Sequence, residues 1–510
     1  MNDLTDGEWH RLHPATPLLR GGIILIAVLG FVLSNFRERL VEWVFGAPDL
    51  PGDPLQTAYE RGQIGWAAVI VAAVLILGIV IFYASWRMHT FRVGDDVVEV
   101  RSGILFRTHR RARLDRVQGV AISRPLFARI FGAAKLDVSV AGQDAKVQLS
   151  YLGSAEADRL RRDVLQLASG ARAQPQEEAA ASAPVPVSPA VTGAESGVVN
   201  QRMREFLAPE LDPDAAPPES VVRIPPVRLI LSLVLSGFTV ALIVVAVFVL
   251  TTSLLGRREF FFILIIPGLA AAFGYYFNRF TKSLRYSIAA TPDGVRVGFG
   301  LLSTSNDTLP PGRIHAIEVS QPLLWRPVGW WMIRINRAGA AGESNAQTST
   351  TMLPVGTVDD VRKVLGLLLP GLAGEQTREL VLDGLVGRSG RVESAFTDAP
   401  RRAWPLRPFS WRRTGYARSG DAVLVRSGFL WRHLSVVPLA RVQSVRITQG
   451  PVRRRLDLVE LTLQTVSGPV RASVGVADRA QGTAAFEEWS AGAVRAAAAD
   501  RSHRWAEGER

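Results

Sequence analysis

The sequence predicts a membrane protein of mixed α and β class, with four transmembrane helices in two hairpins and three repeated β-rich modules, each closed by a C-terminal helix. Three observations support this prediction. One motif recurs three times, four long apolar runs occur in two pairs, and a hydrophobic fraction of 48% accompanies 21% charged residues. Such a composition is typical of membrane spans joined to soluble domains.

The repeat is defined by a glycine that stands thirteen residues before an arginine. The glycines are Gly103, Gly300 and Gly428, and the arginines are Arg116, Arg313 and Arg441. An aspartate stands seven residues before each glycine, and aliphatic residues fill the same alternate positions between them. Because the three copies align without gaps, we expect one structural module in triplicate.

Four apolar runs are long enough to cross a hydrocarbon core about 30 Å thick. They are Leu18–Phe36, Ile64–Trp86, Leu229–Leu255 and Phe260–Phe277. A connection of only four residues, Gly256–Glu259, predicts a tight antiparallel hairpin for the second pair, and a loop over residues 37–63 joins the first pair. Residues 101–135, which follow the first pair, hold nine Lys or Arg and one acid. The positive-inside tendency therefore predicts that all three modules are cytoplasmic.

Strand and helix signals divide the chain further. Alternating residues from Phe91 to Val100 predict a β-hairpin. Capping residues predict closing helices from Ala155 to Leu167 and from Val358 to Leu369, and a third that begins near Thr483. Residues 170–222 are rich in Ala, Pro, Ser and Glu, a composition that predicts disorder.

The predicted organisation follows from these signals. In chain order it is a cytoplasmic N-terminus at 1–17, a first transmembrane hairpin at 18–86, a first module at 87–169, a disordered linker at 170–222, a second hairpin at 223–277, a second module at 278–372, a linker at 373–410, a third module at 411–495 and a C-terminal tail at 496–510.

This architecture and its motifs resemble a known family. The segments Leu114-Asp115-Arg116-Val117-Gln118 and Leu439-Ala440-Arg441-Val442-Gln443, together with the two-span hairpins, are similar to those of bacterial pleckstrin-homology-like (PH-like) domain membrane proteins of the YdbT type. The resemblance implies that each module is a seven-stranded, two-sheet β-sandwich with a C-terminal helix at one end. It implies no catalytic residues. The second copy departs from the pattern because His315 stands in place of the glutamine.

The repeated arginines Arg116, Arg313 and Arg441 are candidate contacts for a lipid phosphate or a partner carboxylate, since a guanidinium offers a planar fork of donors. The alternative is a structural ion pair in each module. The recurring aspartates at the start of the motif, Asp96, Asp293 and Asp421, would be the partners in that case.

Two further clusters are candidate contacts. Arg107, Arg110, Arg111 and Arg113 are dense only in the first copy, where they would attract anionic lipid or form a solvated face. Trp404, Trp411, Arg412 and Arg413 lie in a segment of interleaved aromatic and basic residues. That pattern favours either the membrane interface or packing against the third module.

Several classes of function are disfavoured. The chain has no cysteine, which excludes disulfides and thiolate chemistry. Its seven histidines are scattered, and the common nucleotide, hydrolase and metalloprotease motifs are missing, so we expect no enzyme, cofactor or metal. The net charge of +13 implies an anionic partner. Membrane spans favour lipid over nucleic acid, which would also require stacking aromatics.

The sequence leaves two hypotheses for function. In the first, a multi-pass protein of the bacterial inner membrane presents three cytoplasmic PH-like domains for binding or scaffolding. Its partners would be anionic lipid headgroups, a smaller PH-like membrane protein or further copies of itself. In the second, the four spans form a transport or lipid-handling bundle that the modules regulate.

Overall fold

The computed structural model describes residues 6–168 and 220–500, except for 15, 17–79, 81–82, 85, 95, 104–106, 141–145, 256–258, 285, 292–293, 301–302, 311, 339–349, 370–373 and 388–394. The first predicted hairpin and the linker 170–222 lie almost entirely outside the described residues, as does the C-terminal tail from residue 501 onward.

The first module is a sandwich of two antiparallel sheets. One sheet contains β1 (His10–Arg11), β2 (Thr90–Val93), β3 (Val97–Ser102) and β4 (Thr108–Arg113). The other contains β5 (Val117–Arg124), β6 (Ala133–Val140) and β7 (Lys146–Gly153). Helix α1 (Leu126–Ile130) connects β5 to β6, and α2 (Ser154–Ala168) closes the module.

The second module repeats this arrangement around a helical insertion. Its strands are β8 (Ser220–Arg223), β9 (Ser287–Thr291), β10 (Gly294–Phe299), β11 (Thr304–Leu309), β12 (Ile314–Pro322), β13 (Trp331–Arg337) and β14 (Thr351–Gly356). Between β8 and β9 stand α3 (Pro226–Val234), α4 (Gly237–Leu254) and α5 (Glu259–Ser283), and α6 (Val358–Leu368) closes the module.

The third module follows α7 (Glu375–Val386), a helix that packs on its first sheet. Its strands are β15 (Thr397–Asp398), β16 (Gly415–Ser419), β17 (Ala422–Ser427), β18 (Trp431–Pro438), β19 (Ser444–Thr448), β20 (Leu458–Gln464) and β21 (Ala472–Asp478). Helix α8 (Pro451–Arg455) connects β19 to β20, and α9 (Arg479–Ala499) closes the module.

The repeated glycines occupy equivalent turns, which confirms the threefold repeat. Gly103, Gly300 and Gly428 follow the third strand of their modules and have φ angles of 107°, 106° and 90°. A side chain is strained at such angles. At Gly300 and Gly428 a Cβ would also collide with the carbonyl oxygen three residues later in the chain. Only glycine fits this turn without displacing the strand that follows.

The first strand of every module lies further upstream than the predicted boundaries. β1 stands in the segment expected to be a separate N-terminus, β8 begins in the predicted disordered linker, and β15 lies in the linker 373–410. In chain order, the predicted first hairpin, residues 18–86, therefore falls between β1 and β2, just as α3–α5 fall between β8 and β9. Within the part of the chain that the structure describes, seven strands belong to each module, as the family resemblance implied.

The third predicted span is not one helix. The run from Leu229 to Leu255 breaks after Val234, and α4 begins beyond Ser236, whose side chain accepts a hydrogen bond from the Thr239 amide. This serine cap replaces a missing intrahelical bond and fixes the start of α4. Among the described residues, one helix, α4, is long and apolar enough to cross a membrane. The expected four spans are not established.

Helices α4 and α5 pack antiparallel. Near the start of α4 and the end of α5, Thr239 Oγ1 lies 2.7 Å from Tyr276 Oη, and the rings of Phe238 and Tyr275 stack with centroids 4.0 Å apart. These polar and aromatic contacts join the two helices next to the sandwich.

Neighbouring modules share sheets, a feature that the sequence did not predict. β5 of the first module pairs with β11 of the second, and β12 of the second pairs with β18 of the third. We call these pairs the first and second junctions. Each creates a continuous seven-stranded sheet. The three sandwiches therefore form a single hydrogen-bonded row rather than separate domains on flexible linkers.

The predicted closing helices are present, with small changes at their ends. Thr357 and Asp360 form a reciprocal capping box at the start of α6. α9 begins at Arg479, four residues before the predicted start near Thr483, because the Asp478 side chain accepts hydrogen bonds from the amides of residues 480 and 481. Trp489 of α9 is 1% exposed and packs edge-on against Tyr416.

Candidate functional site

Strand directions place α3–α5 at one end of the second sandwich. β8 runs toward α3, and β9 runs back from α5 as its antiparallel neighbour. The junctions align the modules, since Arg124 pairs with Thr304 and Pro322 pairs with Trp431. We call this common end the anchor edge. It comprises residues 125–132, 323–330, 399–414, 428–431 and 449–457 and the attachment points of the helices.

Exposed apolar side chains concentrate on the anchor edge. Among the described residues, one group of exposed large hydrophobic side chains lies in α3–α5 and the turn between α4 and α5, and a second lies in residues 80–88. The others, except Val386 and Val494, belong to the anchor edge. They are Phe127, Ile130, Phe131, Leu323, Leu324, Val328, Trp404, Phe409, Phe429, Leu430, Trp431 and Val452. Since all three modules contribute, the anchor edge is a long apolar margin rather than a local patch.

In the third module, the Trp- and Arg-rich segment stands where the second module has α3–α5. It connects β15 to β16, the first and second strands. Trp404 is 57% exposed and Phe409 is 74% exposed. The Phe409 ring packs 5.7 Å from the Phe429 ring. Trp431 lies beside Gly237, the first residue of α4. The third module thus contacts the start of α4.

A cleft of about 860 Å³ opens in this segment. Trp404 and Trp411 line it together with Arg401 and Arg412. The Arg412 guanidinium lies over the Trp411 ring, 5.4 Å from its centroid. Aromatic rings and cations in this arrangement suit the boundary between lipid headgroups and acyl chains. Three of the four predicted residues of this segment, Trp404, Trp411 and Arg412, are therefore together.

Arg413 is the fourth predicted residue of that segment, and it does not face solvent. It is 6% exposed and donates hydrogen bonds to the carbonyl oxygens of Gly384, Leu385 and Gly387 at 2.7–3.0 Å. These carbonyls end α7, where intrahelical donors are missing. Arg413 is thus a helix cap, and its assignment as a lipid contact is wrong.

The repeated arginines lie at the opposite end of the sandwiches, which we call the distal edge. Arg441 forms an ion pair of 2.7 Å with Asp500, and Arg313 donates to the backbone oxygen of Asp115 at 3.2 Å. Burial and the charge of Arg441 lower the pKa of Arg313. Asp500 and Asp115 do not belong to the recurring aspartates of the motif. The backbone oxygen of Asp421, which is one of those aspartates, accepts a hydrogen bond from the Leu439 amide. Arg116 is exposed on the same edge.

The basic cluster of the first module lies on or just before β4. Arg111 and Arg92 each approach Glu99 to 2.8 Å, and Arg113 pairs with Asp115 at 3.0 Å. Burial raises the pKa of Glu99, but the charges of Arg111 and Arg92 outweigh it and lower the pKa. Part of the positive charge is thus balanced within the module. The side chains of Arg107 and Arg110 are also exposed.

Sequence reasoning missed the apolar side chains that follow the fifth strand of each module. Phe127, Leu324 and Val452 stand eleven residues after the repeated arginine in their copies. Aligning the copies beyond the motif would have shown that an apolar residue recurs at a position outside the strands. That signal was available in the sequence, whereas the common edge of the three modules required the structure.

Comparison with known proteins agrees with the observed fold. The family model described as "Bacterial PH domain" matches residues 28–168, 229–369 and 390–493. A curated relative, the UPF0699 transmembrane protein YdbT of Bacillus subtilis (strain 168), is 26% identical over 128 residues, 25% of this chain. The match spans about a quarter (26%) of that relative. No solved structure matches the chain. The protein therefore belongs to the bacterial PH domain family and carries three copies of the domain.

Proposed function

We propose that this protein is a non-enzymatic membrane scaffold that holds a row of three PH-like domains with the anchor edge on the bilayer surface. Helices α4 and α5 attach the row to the membrane. The apolar side chains of the three domains keep its long axis parallel to the membrane plane, so that the faces and ends of the sheets stay available for partners.

The observation that carries this proposal is the apolar character of the anchor edge in all three domains. Complete burial of a Phe or Leu side chain contributes about 1.5–3 kcal/mol, so partial insertion of several such side chains would hold a domain on the interface. The third domain has no membrane helix between its first two strands. The exposed side chains of Trp404 and Phe409 anchor the third domain to the membrane surface instead.

The arginine positions favour scaffolding over recognition of lipid headgroups by the repeated motif. A strand of six residues, such as β11, spans about 20 Å. Arg313 and Arg441 stand beyond the far ends of such strands, at the distal edge. Arg313 donates to the backbone oxygen of Asp115, and Arg441 forms an ion pair with Asp500. Headgroup contact is instead expected at the anchor edge, from Arg412 and its neighbours.

The proposed location is the inner membrane of a bacterium, with the domains in the cytoplasm. Arg223 and Arg228 precede α4, and Arg279 and Lys282 lie near the C-terminal end of α5. This is the distribution that the positive-inside tendency predicts for cytoplasmic flanks. The alternative of a transport or lipid-handling bundle stays a prediction, since the first hairpin lies outside the described residues.

The absence of cysteine allows a direct test. Phe409→Cys and Asp421→Cys place one thiol at the anchor edge and one at the distal edge of the third domain. Each full-length variant is labelled with an environment-sensitive fluorophore and reconstituted in vesicles that contain nitroxide lipids. We expect lipid nitroxides to quench the label at residue 409 and to leave the label at residue 421 bright.

Two vesicle compositions separate the contributions of charge and apolar contact. If apolar insertion dominates, quenching at residue 409 should persist in zwitterionic vesicles and at high salt, and should be stronger in anionic vesicles. Equal quenching of both labels, or none at residue 409, would rule out the proposed orientation of the row.

A further inference from the structure

The two junctions use one cross-strand register, although their sequences differ. Each junction pairs a strand of one module with a strand of the module before it. The residue six positions before the repeated arginine of the later module lies opposite the residue five positions after the repeated arginine of the earlier module. Asp307 faces Ala121 at the first junction, and Ser435 faces Glu318 at the second. Identical register at both junctions indicates a reusable mode of association between modules.

Each junction contains one buried acid at this cross-strand pair, held by a cation. Asp307 and Arg337 approach to 2.7 Å, with 8% and 3% of their side chains exposed. Glu318 lies 2.6 Å from Arg334 and 3.4 Å from His433. Burial raises the pKa of Glu318, but the hydrogen bond and charge of His433 and the charge of Arg334 outweigh it and lower the pKa.

The row ends in two strands that are equivalent to the junction strands. β4 corresponds to β11 and β18, and β19 corresponds to β5 and β12. Among the described residues, β4 pairs only with β3, and β19 pairs only with β20. An edge strand of this kind is a template for another strand. We call β4 and β19 the outer edges of the row.

Exposure marks the difference between junction strands and outer edges. The Arg111 side chain on β4 is 66% exposed, whereas its counterparts Thr308 and Val436 are 2% and 1% exposed. On β19, Arg446 is exposed, whereas its counterpart Glu318 is 6% exposed. The same positions are covered wherever a neighbouring module is present.

Both outer edges carry arginine at the critical cross-strand pair. Arg110 occupies the position of Asp307, and Arg446 occupies the position of Glu318. Two copies of this chain joined in the junction register would place Arg110 opposite Arg446. Like charges directly opposite each other in an antiparallel pair are unfavourable, so this register disfavours self-association.

We propose that each outer edge binds a PH-like domain of a different polypeptide, whose added strand places an Asp or Glu opposite Arg110 or Arg446. The inference builds on the proposed scaffold function and names the partner's chemistry. A carboxylate at this pair would again be held by a cation, as the buried acids of both junctions are. At the outer edges the cation would come from the facing strand, whereas Arg334 and Arg337 at the junctions belong to β13. Backbone pairing supplies the affinity, and the arginine selects the partner.

Charge reversal within this chain supplies a defined probe. The double variant Arg110→Glu/Arg446→Glu places Glu opposite Glu in its own pairing, so it should stay as unassociated as the wild type. When the two full-length proteins are mixed in detergent, each end meets its charge complement. Light scattering after size-exclusion chromatography should then show particles of at least two chains that dissociate at high salt.

Hydrogen exchange identifies the surface that forms in the mixture. Protection should rise in β4 and β19 and stay constant in β7 and β14. The matched control Arg162→Glu/Arg378→Glu makes the same charge change on exposed positions of α2 and α7, and its mixture with the wild type should not associate. If the double variant does not fold, the single variant Arg446→Glu replaces it and should associate with itself.

The proposal is overturned if no mixture of complementary chains associates, if the control mixture associates equally, or if the wild type alone pairs through β4 and β19. These measurements are made in detergent and do not depend on contact between the anchor edge and a bilayer. A negative association result would therefore not change the interpretation of the vesicle quenching experiment, which tests the proposed scaffold function independently.

Discussion

The first junction gives a quantitative prediction, because its ion pair is almost completely buried. Replacing Asp307 by leucine (Asp307→Leu) leaves the Arg337 guanidinium, 3% exposed, without the carboxylate that lies 2.7 Å away. Removing one member of a buried pair costs about 3–5 kcal/mol, since the remaining charge stays in a poorly solvated site. We expect the loss to fall on the pairing of β5 with β11.

Hydrogen exchange of the full chain is the suitable assay, because a protein of several domains does not unfold in one step. A loss of 3–5 kcal/mol corresponds to roughly a hundredfold to several thousandfold faster exchange by local opening. The increase should appear in β5 and β11. Exchange in β20 and β21 of the third module should be unchanged.

Two controls define the outcome. The double variant Asp307→Leu/Arg337→Met replaces the pair by apolar side chains and should recover most of the loss, since such replacements are often neutral. Arg362 pairs with Asp359 on the surface of α6, with 45% and 70% of their side chains exposed, so Arg362→Ala should cost less than about 1 kcal/mol. The reasoning fails if Asp307→Leu leaves exchange unchanged, or if the double variant is no better.

Three further variants test other parts of the fold. At Gly420, φ is positive but the surrounding space is open, so we expect Gly420→Ala to cost roughly 1 kcal/mol of backbone strain. Gly428→Ala should destabilise the third module by more than this, because a Cβ at residue 428 would also collide with the Trp431 carbonyl oxygen. Equal melting temperatures for the two variants would contradict this prediction. Burial and two nearby arginines lower the pKa of His315 from 6.5 to about 4. As the pH falls, His315 therefore binds a proton in the unfolded chain before it does so in the folded chain. Stability should therefore fall as pH drops from about 6.5 to about 4, and His315→Leu should remove that part of the pH dependence in thermal melts. Arg413→Met should cost at least about 2 kcal/mol, because charged hydrogen bonds to the last carbonyls of α7 are lost, and faster hydrogen exchange confined to the end of α7 would show it.

The sequence was sufficient to predict features that depend on local chemistry. The glycine turns follow from backbone sterics, as at Gly428, and the α6 cap follows from a threonine placed before an amphipathic run. The equivalence of the three modules followed from simple alignment. These features need only residues that are close in the chain, and residues close in the chain are what a pattern records.

Features that join distant segments were not predictable in the same way. β1 and β15 are only two residues long, and each is separated from its partner strand by an insertion. The segment with Arg413 has the composition of an interfacial segment, yet this one arginine turns inward to cap a helix. The junctions depend on pairing between modules, and no hydrophobic period along one strand specifies its neighbour in another domain.

The placement of the hairpin within the sandwich connects the two proposals. Because α3–α5 are inserted between the first and second strands, the helices leave the second sandwich at one end of its strands. A sheet is extended by strands that pair with its edge strands, and the shared register at both junctions aligns the strand ends of the three modules at the anchor edge.

If the anchor edge lies on the bilayer, the outer edges β4 and β19 face along the membrane plane. A partner anchored in the same bilayer would already be oriented and confined to two dimensions. Because it would lose less translational and rotational freedom on binding, the entropic cost of association would be smaller. Arg110 and Arg446 then have a clear purpose. Copies of one chain anchored side by side would be the most frequent neighbours, so opposed arginines would prevent indefinite growth of the row while leaving both ends open to an acidic partner.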